Sequence, residues 1–145
     1  MTYYQQKGRD YLKKITDIEI KIKVLRYRQD EIIAEAEGLG FNLKEKVQTS
    51  PIPDAMASAV ARLVDEQVRL AETIADYRAT KDKIIKSIEA LDDTRFKTVL
   101  FDRYVEHKRL QTIADEMHYT LQHTQRLLRL ALDEIGRKVE QEDEQ

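Results

Sequence analysis

The residues best suited to chemistry lie near the C-terminus of the chain, between positions 120 and 129. Amide, imidazole and guanidinium side chains recur there at helical spacing, at Gln122, His123, Gln125, Arg126 and Arg129. Glutamine can form two hydrogen bonds with adenine, arginine can bond O6 and N7 of guanine, and both can hold phosphates. Thr120 and Thr124 can add contacts to phosphate or thymine. This set indicates recognition of duplex DNA, although any helix that faces solvent carries some glutamine and arginine.

Two short helices must position these side chains. The first is predicted from Leu110 to about Met117, with an apolar face and the small Ala114 at the crossing point. His118 and Tyr119 form the turn, in which Tyr119 can fill the corner, and Thr120 is a plausible N-cap for a second helix that runs to about Val139. The side chains that give this second helix a buried side are Leu121, Leu127, Leu128, Ala131, Leu132 and Ile135. Asp92-Asp93-Thr94 predicts the start of a preceding helix that ends near His107.

This stretch resembles the helix-turn-helix of sigma factor region four. The matching pieces are Leu110, Ile113, Ala114, Met117, Thr120, Arg126, Ala131 and Leu132. With the upstream Arg95-Phe96, Leu100 and Arg103-Tyr104-Val105, the segment from about Asp93 to Lys138 resembles the ArpU/RinA-type late transcriptional regulators of phages and prophages. The resemblance implies a DNA-binding regulator of a late-gene promoter that acts as an activator.

Two positions depart from the sigma-like pattern. His118 stands where glycine is usual, so it must accept a left-handed backbone conformation. Thr124 stands where a larger aliphatic side chain normally anchors the recognition helix, so a shallower contact is expected.

The N-terminal part of the chain carries two heptad seams. The first runs through Tyr4, Gly8, Tyr11, Ile15, Ile18, Ile22, Leu25, Gln29, Ile32, Ala36 and Leu39. The second runs through Met56, Val60, Leu63, Gln67, Leu70, Ile74, Tyr77, Lys81, Ile84, Ile88 and Leu91. Glycine and proline cluster between the seams and predict a break in the helix.

The sequence therefore predicts an all-α protein: a long antiparallel helical hairpin (coiled coil), followed by a small three-helix helix-turn-helix domain. The hairpin covers residues 1–92, with helices over about 2–38 and 53–92 and a linker over 39–52. The helix-turn-helix domain covers 93–139, and residues 140–145 form an acidic tail that we expect to be frayed. In the hairpin, Gln29 lies about level with Gln67; the two either bond across the seam or point partly to water.

The charge of the C-terminal segment is modest. Residues 93–138 contain nine Lys and Arg against seven Asp and Glu, whereas phosphate neutralisation supplies much of the affinity of DNA-binding modules. Lys108 and Arg109 are further candidates for backbone contact. A single copy should bind weakly, so a homodimer that reads two half-sites is expected. The long hairpin either dimerises the chain or presents a surface to host RNA polymerase.

The composition argues against several other classes. The chain has 145 residues, of which 36% are charged, and no Cys, so a disulfide framework and a thiolate metal site are excluded. No phosphate-binding loop, Gly-x-Ser-x-Gly elbow or His-Glu-x-x-His motif occurs, so no enzyme activity, metal or cofactor is predicted. No apolar run reaches the length of a membrane span, and a location in the cytoplasm of a bacterial host cell is expected.

Two alternative functions remain open at this level. A small-terminase-like packaging protein also couples a helix-turn-helix to coiled-coil oligomerisation. A protein-interaction module, in which the terminal helices bind a protein instead of DNA, is compatible with the modest charge. The operator sequence and the pairing of the hairpin within or between chains are left undetermined by the sequence.

Overall fold

The computed structural model describes residues 1–40 and 53–145, and within them the fold is all-α, as predicted. The helices are α1 (Tyr3–Gly38), α2 (Asp54–Glu89), α3 (Thr94–Leu100), α4 (Leu110–Met117) and α5 (Leu121–Asp143). Most of the predicted linker lies outside the described residues. None of the helices in the described part of the chain combines the length and apolarity that a membrane crossing requires.

The described chain forms two compact units. The terminal unit contains Met1–Asp17 and Tyr77–Gln145, and the middle unit contains Ile18–Asp76. The terminal unit thus joins the C-terminal helices with residues 1–17 and 77–92, which the sequence analysis had placed in the hairpin segment.

One hydrophobic core holds the terminal unit together. Seam residues of α1 and α2 meet the apolar sides of α3, α4 and α5 in it, and the largest fully buried side chains are Leu12, Ile15, Ile84, Leu91, Val99, Leu100, Ile113 and Ile135. The Tyr11 and Ser87 hydroxyls lie 2.7 Å apart, which adds a polar link between α1 and α2. The seam positions Ile15, Ile84 and Leu91 are thus buried in this core, together with Leu12, which lies beside the seam.

Two glycines let α1 and α5 cross at very short range. A Cβ atom added to Gly136 would collide with the carbonyl oxygen of Tyr4, and one added to Gly8 would collide with that of Leu132. Both glycines are buried. At this crossing the two backbones are in contact, which only residues without a side chain permit.

The helix predicted from Thr94 to about His107 is regular only over its first half. Asp93 caps α3, its carboxylate accepting the Arg95 N–H at 2.8 Å, and residues Phe101–Val105 then form a π-helical turn in which the Glu106 N–H donates to Phe101 O at 3.1 Å. His107 has φ 57°, so the chain turns sharply there. The widened turn and the reversal replace the last turn of the predicted α-helix.

The expectation of a frayed acidic tail is wrong for most of that segment, because α5 continues to Asp143. Tyr3 Oη donates to a carboxylate oxygen of Glu140 at 2.8 Å, and this bond raises the pKa of Tyr3. Lys7 Nζ lies 3.4 Å from the Asp143 carboxylate. These contacts give the acidic residues partners on α1, which is why the helix persists.

In the middle unit, α1 packs beside α2 through a small apolar cluster of Ile32, Ala36, Ala59 and Leu63. Arg62 of α2 donates to Glu35 of α1 at 3.3 Å. The seam weakens at Leu39, whose side chain is exposed.

The glutamine pair across the seam does not form. The Gln29 side-chain nitrogen is buried without a hydrogen-bond partner, while Gln67 is exposed. Gln67 thus points to water, which is one of the two alternatives that the sequence left open.

The glycine crossing generates a stability test. Gly136→Ala forces a methyl group against a backbone carbonyl, which no side-chain rotation can relieve, and we expect a loss of about 3 kcal/mol in the free energy of unfolding. Gly38→Ala is the matched control, because Gly38 is also helical but nothing lies within 4 Å of its added Cβ; a gain of about 0.5 kcal/mol is expected. Urea unfolding followed by circular dichroism measures both, and equal stabilities would contradict the close crossing.

Candidate nucleic-acid interface

A three-residue connection, His118 to Thr120, sets the direction of α5. His118 adopts φ 60° and ψ 39°, the left-handed conformation that the sequence analysis expected of it. The Tyr119 N–H donates to Ala114 O at 2.9 Å and closes the end of α4. These three residues alone therefore join the end of α4 to the start of α5.

Thr120 begins α5 as its N-cap, as predicted. Its backbone is extended and its hydroxyl oxygen accepts the His123 N–H at 3.1 Å. The cap satisfies one of the free amide groups at the start of the helix. Because Thr120 is also exposed, its hydroxyl hydrogen remains able to donate to an outside group.

Thr124 is not available for the phosphate or thymine contact that its position suggested. Its side chain is fully buried, and its hydroxyl donates to Thr120 O at 2.9 Å. The expected aliphatic anchor is thus replaced by a small residue that bonds back to the first turn of its own helix.

Tyr119 does not fill the corner between the helices. It is exposed, and its ring meets that of His123 edge to face, with centroids 4.7 Å apart. His123 is consequently half-buried. Leu121, predicted on the buried side, is exposed as well.

One face of α5 presents polar side chains to solvent. Gln122, Arg126 and Arg129 are exposed, and Gln125 is half-buried beside them. Among the residues that the structure describes, none forms an ion pair with either guanidinium. The opposite face is buried through Thr124, Leu127, Ala131 and Ile135, and farther along the helix Leu132 and Gly136 are buried as well. This face, defined by Gln122, Gln125, Arg126 and Arg129, is called the polar face of α5 below.

The two candidates that precede α4 differ in their surroundings. Lys108 Nζ lies 3.0 Å from a carboxylate oxygen of Glu116, 3.3 Å from Glu106 and 3.8 Å from Asp102. Hydrogen bonds with Glu116 and Glu106 raise the pKa of Lys108. Its charge is therefore balanced locally, so a phosphate must compete with three carboxylates, whereas Arg109 is exposed at the start of α4.

A further basic surface adjoins the polar face. A groove of about 440 Å³ is lined by Arg129, Leu128 and Leu132 of α5, by Arg9, Lys13 and Thr16 of α1, and by Arg103, Tyr104 and His107 after α3. Arg9 and Lys13 were not among the residues predicted from the sequence, because they precede Arg129 by more than a hundred positions and look like ordinary charges beside a heptad seam. A local pattern contains no signal for this juxtaposition.

Comparison of the chain with protein-family models, with curated proteins and with solved structures finds no match. In the described part of the chain, no group of acidic and histidine residues has a geometry that can hold a metal ion. The polar face of α5 and the basic groove are surfaces on which charged side chains gather.

The left-handed turn generates a second test. An L-residue pays about 1–2 kcal/mol in this conformation, so His118→Gly should raise the free energy of unfolding by about 0.5–1 kcal/mol after the greater chain entropy of glycine is deducted. His118→Ala is the control, since alanine gains no such freedom and histidine tolerates the region better than most residues. Thermal unfolding of both variants measures the difference; an alanine variant as stable as the glycine variant would contradict the assigned conformation.

Proposed function

We propose that the protein binds double-stranded DNA through α4, the His118–Thr120 turn and α5, with α5 as the recognition helix. The observation that carries this proposal is the polar face of α5: its guanidinium groups are exposed and form no ion pair with any residue that the structure describes, while the reverse face of the same helix is buried. Amide and guanidinium groups on an exposed helix are the donors and acceptors that read base edges in the major groove.

Within this proposal the molecule is a phage or prophage transcriptional regulator, most simply an activator at a late-gene promoter. The resemblance of residues 93–138 to sigma region four and to ArpU/RinA-type regulators supports this class. The architecture is then the long antiparallel hairpin followed by the three-helix helix-turn-helix domain, with the hairpin free to contact host RNA polymerase. The cytoplasm of the bacterial host is where such a protein would act.

We propose that the active form is a homodimer. Two observations support this: the small net charge of residues 93–138 and the exposure of large apolar side chains in the middle unit, namely Ile20, Val24, Tyr27, Val64 and Val68. Apolar side chains at this density on helix surfaces are typical of faces that bind another chain. A dimer also doubles the number of cations that one DNA site meets.

The recognition helix is tested by Gln122→Ala with Arg126→Ala. The DNA is a set of genomic fragments selected by their retention on the wild-type protein. Loss of two base-reading side chains should weaken binding to these fragments by about 10- to 100-fold or more, because each bidentate contact discriminates by about 1–3 kcal/mol. The matched control is Arg78→Ala with Gln141→Ala, which removes an exposed arginine and an exposed glutamine elsewhere in the terminal unit. Electrophoretic mobility shifts measure both.

The outcomes separate the candidate functions. Undiminished binding by the Gln122/Arg126 variant, with helicity intact, would contradict the assignment of α5. A wild-type protein that retains no DNA even at low salt would favour a protein-interaction module instead.

Oligomeric state provides a separate test. Light scattering of the full chain should give twice the chain mass of 17.0 kDa. Eight or more subunits would favour a packaging protein related in design to small terminase subunits, and a monomer at micromolar concentration would contradict the proposed dimer.

A further inference from the structure

The groove beside α5 is strongly basic. Four of its lining residues carry a permanent positive charge: Arg9, Lys13, Arg103 and Arg129. Its remaining lining is aromatic, aliphatic, hydroxyl, imidazole or, at Met1, thioether, and no carboxylate is among the described residues that line it. Four like charges around one groove repel each other, so the arrangement favours an anion between them.

The charges in this groove are not neutralised by the ion pairs seen elsewhere in the terminal unit. Arg103 donates from Nη1 to a neutral acceptor, the carbonyl oxygen of Lys108, at 3.0 Å. Arg9 and Lys13 are exposed. Burial raises the pKa of Tyr104, and the positive charges of Arg9 and Arg103 act in the opposite direction. By contrast, Lys7, Lys108 and Arg137 each pair with a carboxylate.

The groove is continuous with the polar face of α5 through Arg129, which belongs to both. Gln122 and Arg129 lie seven residues apart on one helix, a rise of about 10 Å. The major groove of B-DNA is about 12 Å wide between its flanking backbones. A duplex that receives the first turns of α5 in its major groove therefore brings one phosphate strand to the level of Arg129.

We infer that this groove binds the phosphodiester backbone of the DNA that α5 reads, with Arg9 and Lys13 of α1 as its phosphate ligands beside Arg103 and Arg129. This inference rests on the proposed function and extends it to residues of the N-terminal helix. The groove has no base-reading amide, so it contributes affinity and orientation without sequence preference. It also raises the number of cations in one copy that meet DNA above what residues 93–138 provide.

The test compares two doubly substituted full-length chains. Arg9→Gln with Lys13→Gln removes the α1 cations of the groove, and Lys23→Gln with Arg26→Gln removes two exposed cations of the same helix that do not line it. Both variants lose the same net charge. Binding is measured on a retained genomic duplex and on a mixed-sequence duplex of equal length, between 50 and 200 mM salt, with circular dichroism as the check of folding.

The groove variant should flatten the dependence of log K on log salt by about 2, or about 1 for each lost phosphate contact. The groove variant should also bind both duplexes more weakly by the same factor, so the ratio of the two affinities is unchanged. The charge-preserving variant, Arg9→Lys with Lys13→Arg, should restore the wild-type slope.

Two results would overturn the inference. If the Arg9/Lys13 variant matches the Lys23/Arg26 variant in slope and affinity, the groove does not hold DNA. The role of α5 is tested separately, by the Gln122/Arg126 variant. The same equality is expected if the groove instead serves an acidic protein surface. If the wild-type chain binds neither duplex, the proposed function fails first and this inference fails with it.

Discussion

The terminal unit depends on the contact between two backbones at Gly8 and Gly136. Side chains normally keep packed helices 8–10 Å apart, and at this crossing Gly8 and Gly136 have none, so each glycine meets a backbone carbonyl of the other helix. The short distance lets the first turns of α1 lie directly on α5, where Arg137 stacks on the Tyr4 ring at 4.3 Å and the Tyr3 hydroxyl reaches Glu140. The same approach brings Arg9 and Lys13 beside Arg129 in one groove.

The buried side of α5 fixes what its other side can present. Leu127, Ala131, Leu132 and Ile135 pack into the common core, and Thr124 ties the first turn to Thr120. Rotation of the helix would expose these side chains to water at a cost of about 1.5–3 kcal/mol for each large aliphatic group. The direction of Gln122, Arg126 and Arg129 is consequently set by the buried residues of the same helix.

Electrostatics divides the basic residues of the terminal unit into two groups. Lys7, Lys108 and Arg137 contact carboxylates, and Lys138 donates to the carbonyl oxygen of Ala90 near the end of α2. These cations stabilise helix ends and turns. Arg9, Lys13, Arg126 and Arg129 have no such partner among the described residues. The small net charge of the segment therefore understates the charge that one of its surfaces presents, because the acidic residues are used elsewhere.

The sequence by itself determined the features that depend on neighbours in the chain. Periodicity predicted the helical class and most of α1 and α2, the Thr120 cap predicted the start of α5, and the turn predicted a left-handed His118. These depend on interactions within a few residues, which local patterns encode. The heptad pattern, by contrast, includes Gly8 in the first seam but does not reveal that this glycine is a point of contact with α5.

Only the tertiary structure decided the rest. The π turn after α3, the burial of Thr124, the helical end of α5 and the exposure of Gln67 did not follow from the local sequence pattern. The basic groove is the clearest case, since Arg9 and Arg129 are brought together by two glycines that no spacing rule connects. Charges distant in sequence share one electrostatic surface only when the backbones between them approach closely, and that approach is set by the fold.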